Sequence, residues 1–80
     1  MSAAAPRVLP EDEAVRWVLA LLADGQPRTT RAIDEAARSQ GVSCPDGTAR
    51  FLARLQRKGL VQGRLDVAAK GWLWWRGPPA

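Results

Sequence analysis

Apolar positions along this chain follow a helical period through three segments and then change period. Val15, Val18, Leu19 and Leu22 fall at i, i+3, i+4 and i+7, the spacing that lines one face of a helix. The pattern predicts a first helix from about Pro10 to Ala23. Pro10 suits a first turn, where a missing N–H costs nothing. Glu11, Asp12 and Glu13 then lie at the positive end of the helix dipole. Asp24-Gly25 ends the segment, with Gly25 free to take the left-handed conformation. Gln26-Pro27-Arg28 reads as a connector with room for a very short strand. A second helix is expected from about Arg31 to Ser39, capped by the side-chain oxygen of Thr29 or Thr30. Its apolar face, Ile33, Ala36 and Ala37, is small, and Gly41 closes it.

The third helix has the strongest signals. Ser43-Cys44-Pro45-Asp46 has the spacing of a capping box, with Asp in place of Glu. The helix is expected over about 44–58, ended by Gly59. Thr48, Phe51, Leu52 and Leu55 make the apolar face, while Arg50, Arg54 and Arg57 repeat the same spacing on another. At about 100° per residue the arginine stripe is centred roughly 130° from the apolar one. Beyond Gly59, Leu65 and Val67 alternate with polar residues, and Trp72-Leu73-Trp74-Trp75 forms a second short run. Ala68-Ala69-Lys70-Gly71 fits the loop between them, with Gly71 available for a positive φ. The expected architecture is mainly α with a small β-hairpin: one domain over 9–76, with flexible ends at 1–8 and 77–80.

Composition narrows the chemistry. The 80 residues contain no His and one Cys. That excludes a Cys/His zinc site, a His-based catalytic triad and an intrachain disulfide, and it fits a reducing cytoplasm. No enzyme activity, cofactor, metal or small-molecule substrate is expected. The acidic pairs Asp12/Glu13 and Asp34/Glu35 are explained by helix first turns rather than by acid–base work. The apolar run within 14–23 is interrupted by Arg16 and is too short to span a membrane. It follows three acids, the wrong charge for a signal peptide. The formal charge is +4. Its distribution says more than its size, because Arg50, Arg54, Arg57, Lys58, Arg64, Lys70 and Arg76 face only Asp46 and Asp66 in the C-terminal half. An anionic partner follows from that bias.

Several segments together carry a resemblance: Thr29-Thr30-Arg31-Ala32-Ile33, Gly41-Val42-Ser43, and a third helix closing in Leu55-x-x-Lys58-Gly59-Leu60-Val61. The chain resembles the winged helix-turn-helix domains of small prokaryotic transcription regulators. The resemblance implies a third helix in the major groove of double-stranded DNA and a wing hairpin over 60–75 on the adjacent backbone. It implies base contact by Thr48 and Arg50, and phosphate contact by Thr30, Arg31, Arg54, Arg57, Arg64 and Lys70. An isolated arginine stripe is ordinarily a solvated helix face, and it is the position in the third helix that turns it into a contact surface.

Three tryptophans within four residues allow other readings. Trp72 and Trp74 share one strand face, and Leu73 and Trp75 the other. One pair packs on the core, with Trp17 a candidate neighbour. The opposite face of the strand, drawn from Trp72, Trp74 and Trp75, is a candidate interface for a homodimer or protein partner, or a platform for base stacking. A winged-helix protein adaptor and an RNA-binding winged helix are thus the alternatives to DNA. Cys44, placed at a helix start, has the setting of a thiolate-based redox switch, although a lone Cys is ordinarily just a small side chain.

Overall fold

The computed structural model describes residues 5–77. In chain order the elements are β1 (Arg7–Val8), α1 (Glu11–Leu21), β2 (Arg28–Thr29), α2 (Thr30–Ser39), β3 (Val42–Ser43), α3 (Thr48–Arg57), β4 (Gln62–Asp66) and β5 (Gly71–Trp75). Three helices stand with an antiparallel three-stranded sheet ordered β2-β5-β4, and β1 pairs with β3 in parallel. The three helices and the hairpin stand as expected, and the short strand for which the connector before α2 has room pairs with β5, which makes the architecture mixed α/β. Of the flexible ends expected at 1–8 and 77–80, residues 1–4 and 78–80 lie outside the described part. Arg7 and Val8 are not loose. Their pairing with Val42 and Ser43 is bracketed by bonds from Arg7 N to Gly41 O (2.9 Å) and from Leu9 N to Ser43 O (3.0 Å).

The helices form where the apolar period required them. α1 buries Ala14 and Val18, and Leu22 follows at its C-cap. α2 buries Ile33 and Ala37, and α3 buries Phe51, Leu52 and Leu55. These side chains join Leu9, Cys44, Val61 and Trp74 in one cluster. Burying Phe51, Leu52 and Leu55 contributes about 1.5–3 kcal/mol each. Thr29 caps α2, its Oγ1 accepting from Ala32 N at 3.0 Å. Gly59 (φ 76°) closes α3 through two bonds, Gly59 N to Gln56 O (2.9 Å) and Leu60 N to Leu55 O (2.9 Å). Together these are the double bond of a Schellman cap.

α3 starts four residues later than the sequence pattern suggested. Ser43 does not cap it, since Ser43 is spent in β3. Cys44-Pro45-Asp46-Gly47 is instead a turn closed by Gly47 N to Cys44 O at 3.3 Å. Proline in second place and a positive φ in third (Asp46, 61°) are the signature of a type II turn. The capping-box spacing was therefore a coincidence of turn residues. The hairpin loop differs in a similar way: Lys70 (φ 58°), not Gly71, takes the left-handed conformation. The loop is held by Ala69 N donating to Asp66 Oδ1 (2.9 Å) and Lys70 N to Val67 O (3.1 Å).

Trp74 occupies the centre of the sheet, opposite Arg28 on β2 and Gly63 on β4. A Cβ at Gly63 would fall within the indole ring, so the strand accepts only glycine there without moving Trp74. Gly71, at the other end of the hairpin, has open space around it. Gly63→Ala is expected to lower unfolding free energy by about 1–3 kcal/mol through overpacking. Gly71→Ala is expected to change it by less than about 0.5 kcal/mol, the ordinary surface range. Denaturant melts of the two variants check the contrast, and equal losses would refute the packing account.

Candidate nucleic-acid interface

The outward face of α3 is built from small and cationic side chains. Ala49, Arg50 and Arg57 are exposed and Ala53 is half-buried. Two concavities flank this face. One, of about 390 Å³, is bordered by Asp46, Arg50, Ala53, Arg54 and Arg57. The other, of about 500 Å³, lies between the hairpin and the start of α2 and is bordered by Thr29, Thr30, Arg31, Ala49, Ala69, Lys70, Gly71 and Trp72. Ala49 and Ala53 have no charge to announce them in the sequence. Both side chains are short and leave the helix backbone beside them lightly covered.

The three arginines of the stripe are not equivalent. Arg50 and Arg57 have no carboxylate partner among the described residues. Arg54 has two, with Nη1 2.7 Å from Asp46 Oδ2 and Nη2 2.8 Å from Glu11 Oε1. Its side chain is only 30% exposed, and the guanidinium carbon lies 5.5 Å from the centre of the Phe51 ring. The Asp46 hydrogen bond foremost, then the charge of Glu11, holds the guanidinium above its ordinary pKa against the opposing effect of burial. Lys58 shares Glu11 at 3.8 Å. Arg54 therefore ties α1 and the Asp46 turn to α3 instead of standing free for a ligand. Glu11 is 43 residues away in sequence, so no local spacing announces this pair.

The other residues expected to touch a ligand divide in the same manner. Thr48 is 8% exposed, and its hydroxyl donates to Asp34 Oδ1 on α2 at 2.7 Å, so it ties α3 to α2. Thr30 borders the larger groove, where its Oγ1 accepts from Trp74 Nε1 at 2.7 Å. Arg31 and Arg64 are exposed and lie near carboxylates of their own elements, Glu35 at 3.0 Å and Asp66 at 3.3 Å. Such exposed pairs are worth little and yield readily to a phosphate. Lys70 is exposed on the hairpin and has no carboxylate partner among the described residues. The structure thus places Arg50 and Arg57 on the smaller groove and Arg31, Lys70 and Thr30 on the larger, ties Thr48 and Arg54 to carboxylates within the fold, and leaves Arg64 bordering neither groove.

The tryptophan strand does not offer three rings to a partner. Trp74 is 3% exposed and Trp75 is half-buried. Trp72 alone is well exposed, at 43%, and its ring stacks on Trp74 with centroids 5.4 Å apart and planes 20° apart. Trp17 packs against the same core cluster that holds Trp74, and its indole donates to Gln40 Oε1 at the end of α2, at 3.0 Å. Among the described residues no group of three or more His, Cys, Asp or Glu side chains could hold a metal, and no helix is long and apolar enough to cross a membrane.

Cys44 loses the setting a redox switch needs. It sits in the turn before α3, buried in the core cluster, and no helix dipole favours its thiolate. Burial foremost, and the nearby charge of Asp34, push the thiol above its ordinary pKa, against a smaller opposing influence of Thr48 beside it. The neutral form is kept at pH 7–8. Alkylation by iodoacetamide at pH 8 is expected to be at least about 100-fold slower in the folded protein than in denaturant. Comparable rates, read by mass spectrometry, would show the thiol accessible. No family model, curated protein or solved structure matches the chain.

Proposed function

We propose that the protein binds double-stranded DNA as a winged helix-turn-helix regulator, with α3 in the major groove and the β4–β5 hairpin as the wing. One observation carries this reading: Arg50 and Arg57 stand without carboxylate partners on the outward face of α3, where they border the smaller groove, and Arg31 and Lys70 border the larger groove on the other side. The element order supports it, since a short strand before the second helix completes a sheet with the hairpin that follows the third. In this pose Arg50 reads a base edge, where a guanine O6/N7 pair accepts both ends of a guanidinium. Arg57, Arg31 and Lys70 meet phosphates, and Ala49 and Ala53 let the helix sit close to the groove floor. Arg54 acts indirectly, by holding α3 against α1. The mechanism is positioning and charge, without chemistry, and the reading places the protein in the cytoplasm.

A second reading has its own support. Leu65 and Val67 are exposed at the far end of the hairpin beside Trp72, an apolar patch that fits a protein partner. Duplex RNA is a separate outcome of the nucleic-acid assay below.

The test is a salt titration of binding to duplex DNA. Arg57→Ala is expected to reduce the slope of log K against log salt by about 1, and Arg50→Ala to cost about 1–3 kcal/mol and relax sequence preference, so the double variant loses both affinity and slope. Melting should be unaffected, because neither side chain carries an ion pair. A double variant with unchanged affinity and slope would overturn the reading.

A further inference from the structure

The larger groove has a composition that duplex-backbone contact alone does not require. Its border carries two cations, two hydroxyls and an aromatic ring, and no carboxylate. The smaller groove, by contrast, has Asp46 on its rim. Both hydroxyls of the larger groove are held as acceptors. Thr29 Oγ1 receives Ala32 N, and Thr30 Oγ1 receives Trp74 Nε1. Each therefore has its own proton left to donate. Every polar side chain on that border, Thr29, Thr30, Arg31 and Lys70, offers a donor.

The ring is also prepared. One face of Trp72 lies against Trp74, which is itself pinned by Thr30 and by the absence of a side chain at Gly63. The other part of Trp72 is open and borders the groove. A flat, rigid platform beside fixed donors fits a ligand that is aromatic at one end and anionic at the other. Lys70 reinforces the match, since it borders the same groove from the hairpin loop and has no carboxylate partner among the described residues.

We propose that this groove holds one unpaired nucleotide of a nucleic-acid strand, its base stacked on Trp72 and its phosphate met by Lys70, Arg31 and the Thr29 and Thr30 hydroxyls. The inference deepens the duplex-binding reading and rests on it for the position of α3. It adds a preference that α3 cannot supply: a duplex with a single-stranded tail or frayed end binds tighter than the same duplex with blunt ends. Volume permits it, since about 500 Å³ exceeds what one nucleotide fills.

The experiment uses the full chain and three dye-labelled probes: a blunt 12-base-pair duplex, the same duplex with a three-nucleotide tail, and a single strand. Anisotropy gives affinity, and tryptophan emission reports stacking. The wild type is expected to favour the tailed duplex over the blunt one by about 10-fold, within the range of one base–aromatic stack, with quenched emission. Trp72→Ala should erase the preference while leaving blunt-duplex affinity within about two-fold, and Trp72→Phe should keep most of it. Both are substitutions at an exposed ring, and thermal melts confirm folding. A wild type without tail preference, or a preference that survives Trp72→Ala, overturns this inference and leaves duplex binding intact. Binding of the single strand alone, lost in Trp72→Ala, upholds the nucleotide site and overturns the major-groove reading. No binding to any probe overturns both.

Discussion

The hydrogen bond from Trp74 Nε1 to Thr30 Oγ1, 2.7 Å long and half-buried, joins the sheet to the helices. The indole belongs to the central strand, so one side chain fixes both sheet neighbours and the start of α2 at once. Burying a tryptophan is favourable only where its N–H finds an acceptor. Thr30 supplies that acceptor at the first residue of α2, directly after Thr29 has capped the helix. The ring then demands a bare backbone opposite, and Gly63 provides it. From these two requirements follow the register of the hairpin, the placement of Trp72 on top of Trp74, and the groove that opens beside them. The geometry of the candidate interface is thus a consequence of how one large side chain is accommodated.

Electrostatics divides the molecule along a different line. The acids of the α1 start were readable as dipole partners, yet Glu11 is also spent across the fold on Arg54 and Lys58. Those contacts consume two of the seven C-terminal cations, Arg64 pairs with Asp66 and Arg76 donates to Leu19 O, which is why formal charge overstates the free positive surface. Arg50, Arg57 and Lys70 remain, the first two on the smaller groove beside α3 and the third on the larger. Ion pairs at exposed positions add little to stability. Their effect here is to select: a guanidinium bound to two carboxylates is removed from competition for a ligand, and its neighbours one turn away are not.

Much of this was legible because it is periodic. Three amphipathic segments, their glycine stops at Gly25, Gly41 and Gly59, and the hairpin beyond them follow from apolar spacing alone. The failures share one cause, which is that local pattern cannot see a tertiary partner. Ser43 had the spacing of a cap, but pairing with β1 claimed it, and Pro45-Asp46 made a turn of the residues meant for a helix start. Thr48 had been given to a ligand as well as to the apolar face, and Asp34, fourteen residues earlier, took its hydroxyl. Cys44 looked activated only so long as it stood at a helix terminus. Two-residue strands such as β2 carry too few positions to show alternation, so the third strand of the sheet had no signal beyond a connector of suitable length.

The site follows from these failures as much as from the successes. Had the stripe of Arg50, Arg54 and Arg57 remained uniform, the outer face of α3 would be a plain cationic surface, equally suited to any polyanion. Withdrawing Arg54 and Thr48 leaves a patterned face instead: two arginines on one side of a pair of alanines, and beyond Ala49 a groove with donors and an aromatic ring but no acid. A uniform surface attracts phosphate without regard to arrangement. A patterned one discriminates, because only a ligand with charge and flat apolar surface in matching places satisfies both sides of the helix. The internal ion pairs and the buried threonine, which look like losses to a binding site, are in the proposed reading what leaves α3 a patterned surface instead of a uniform one.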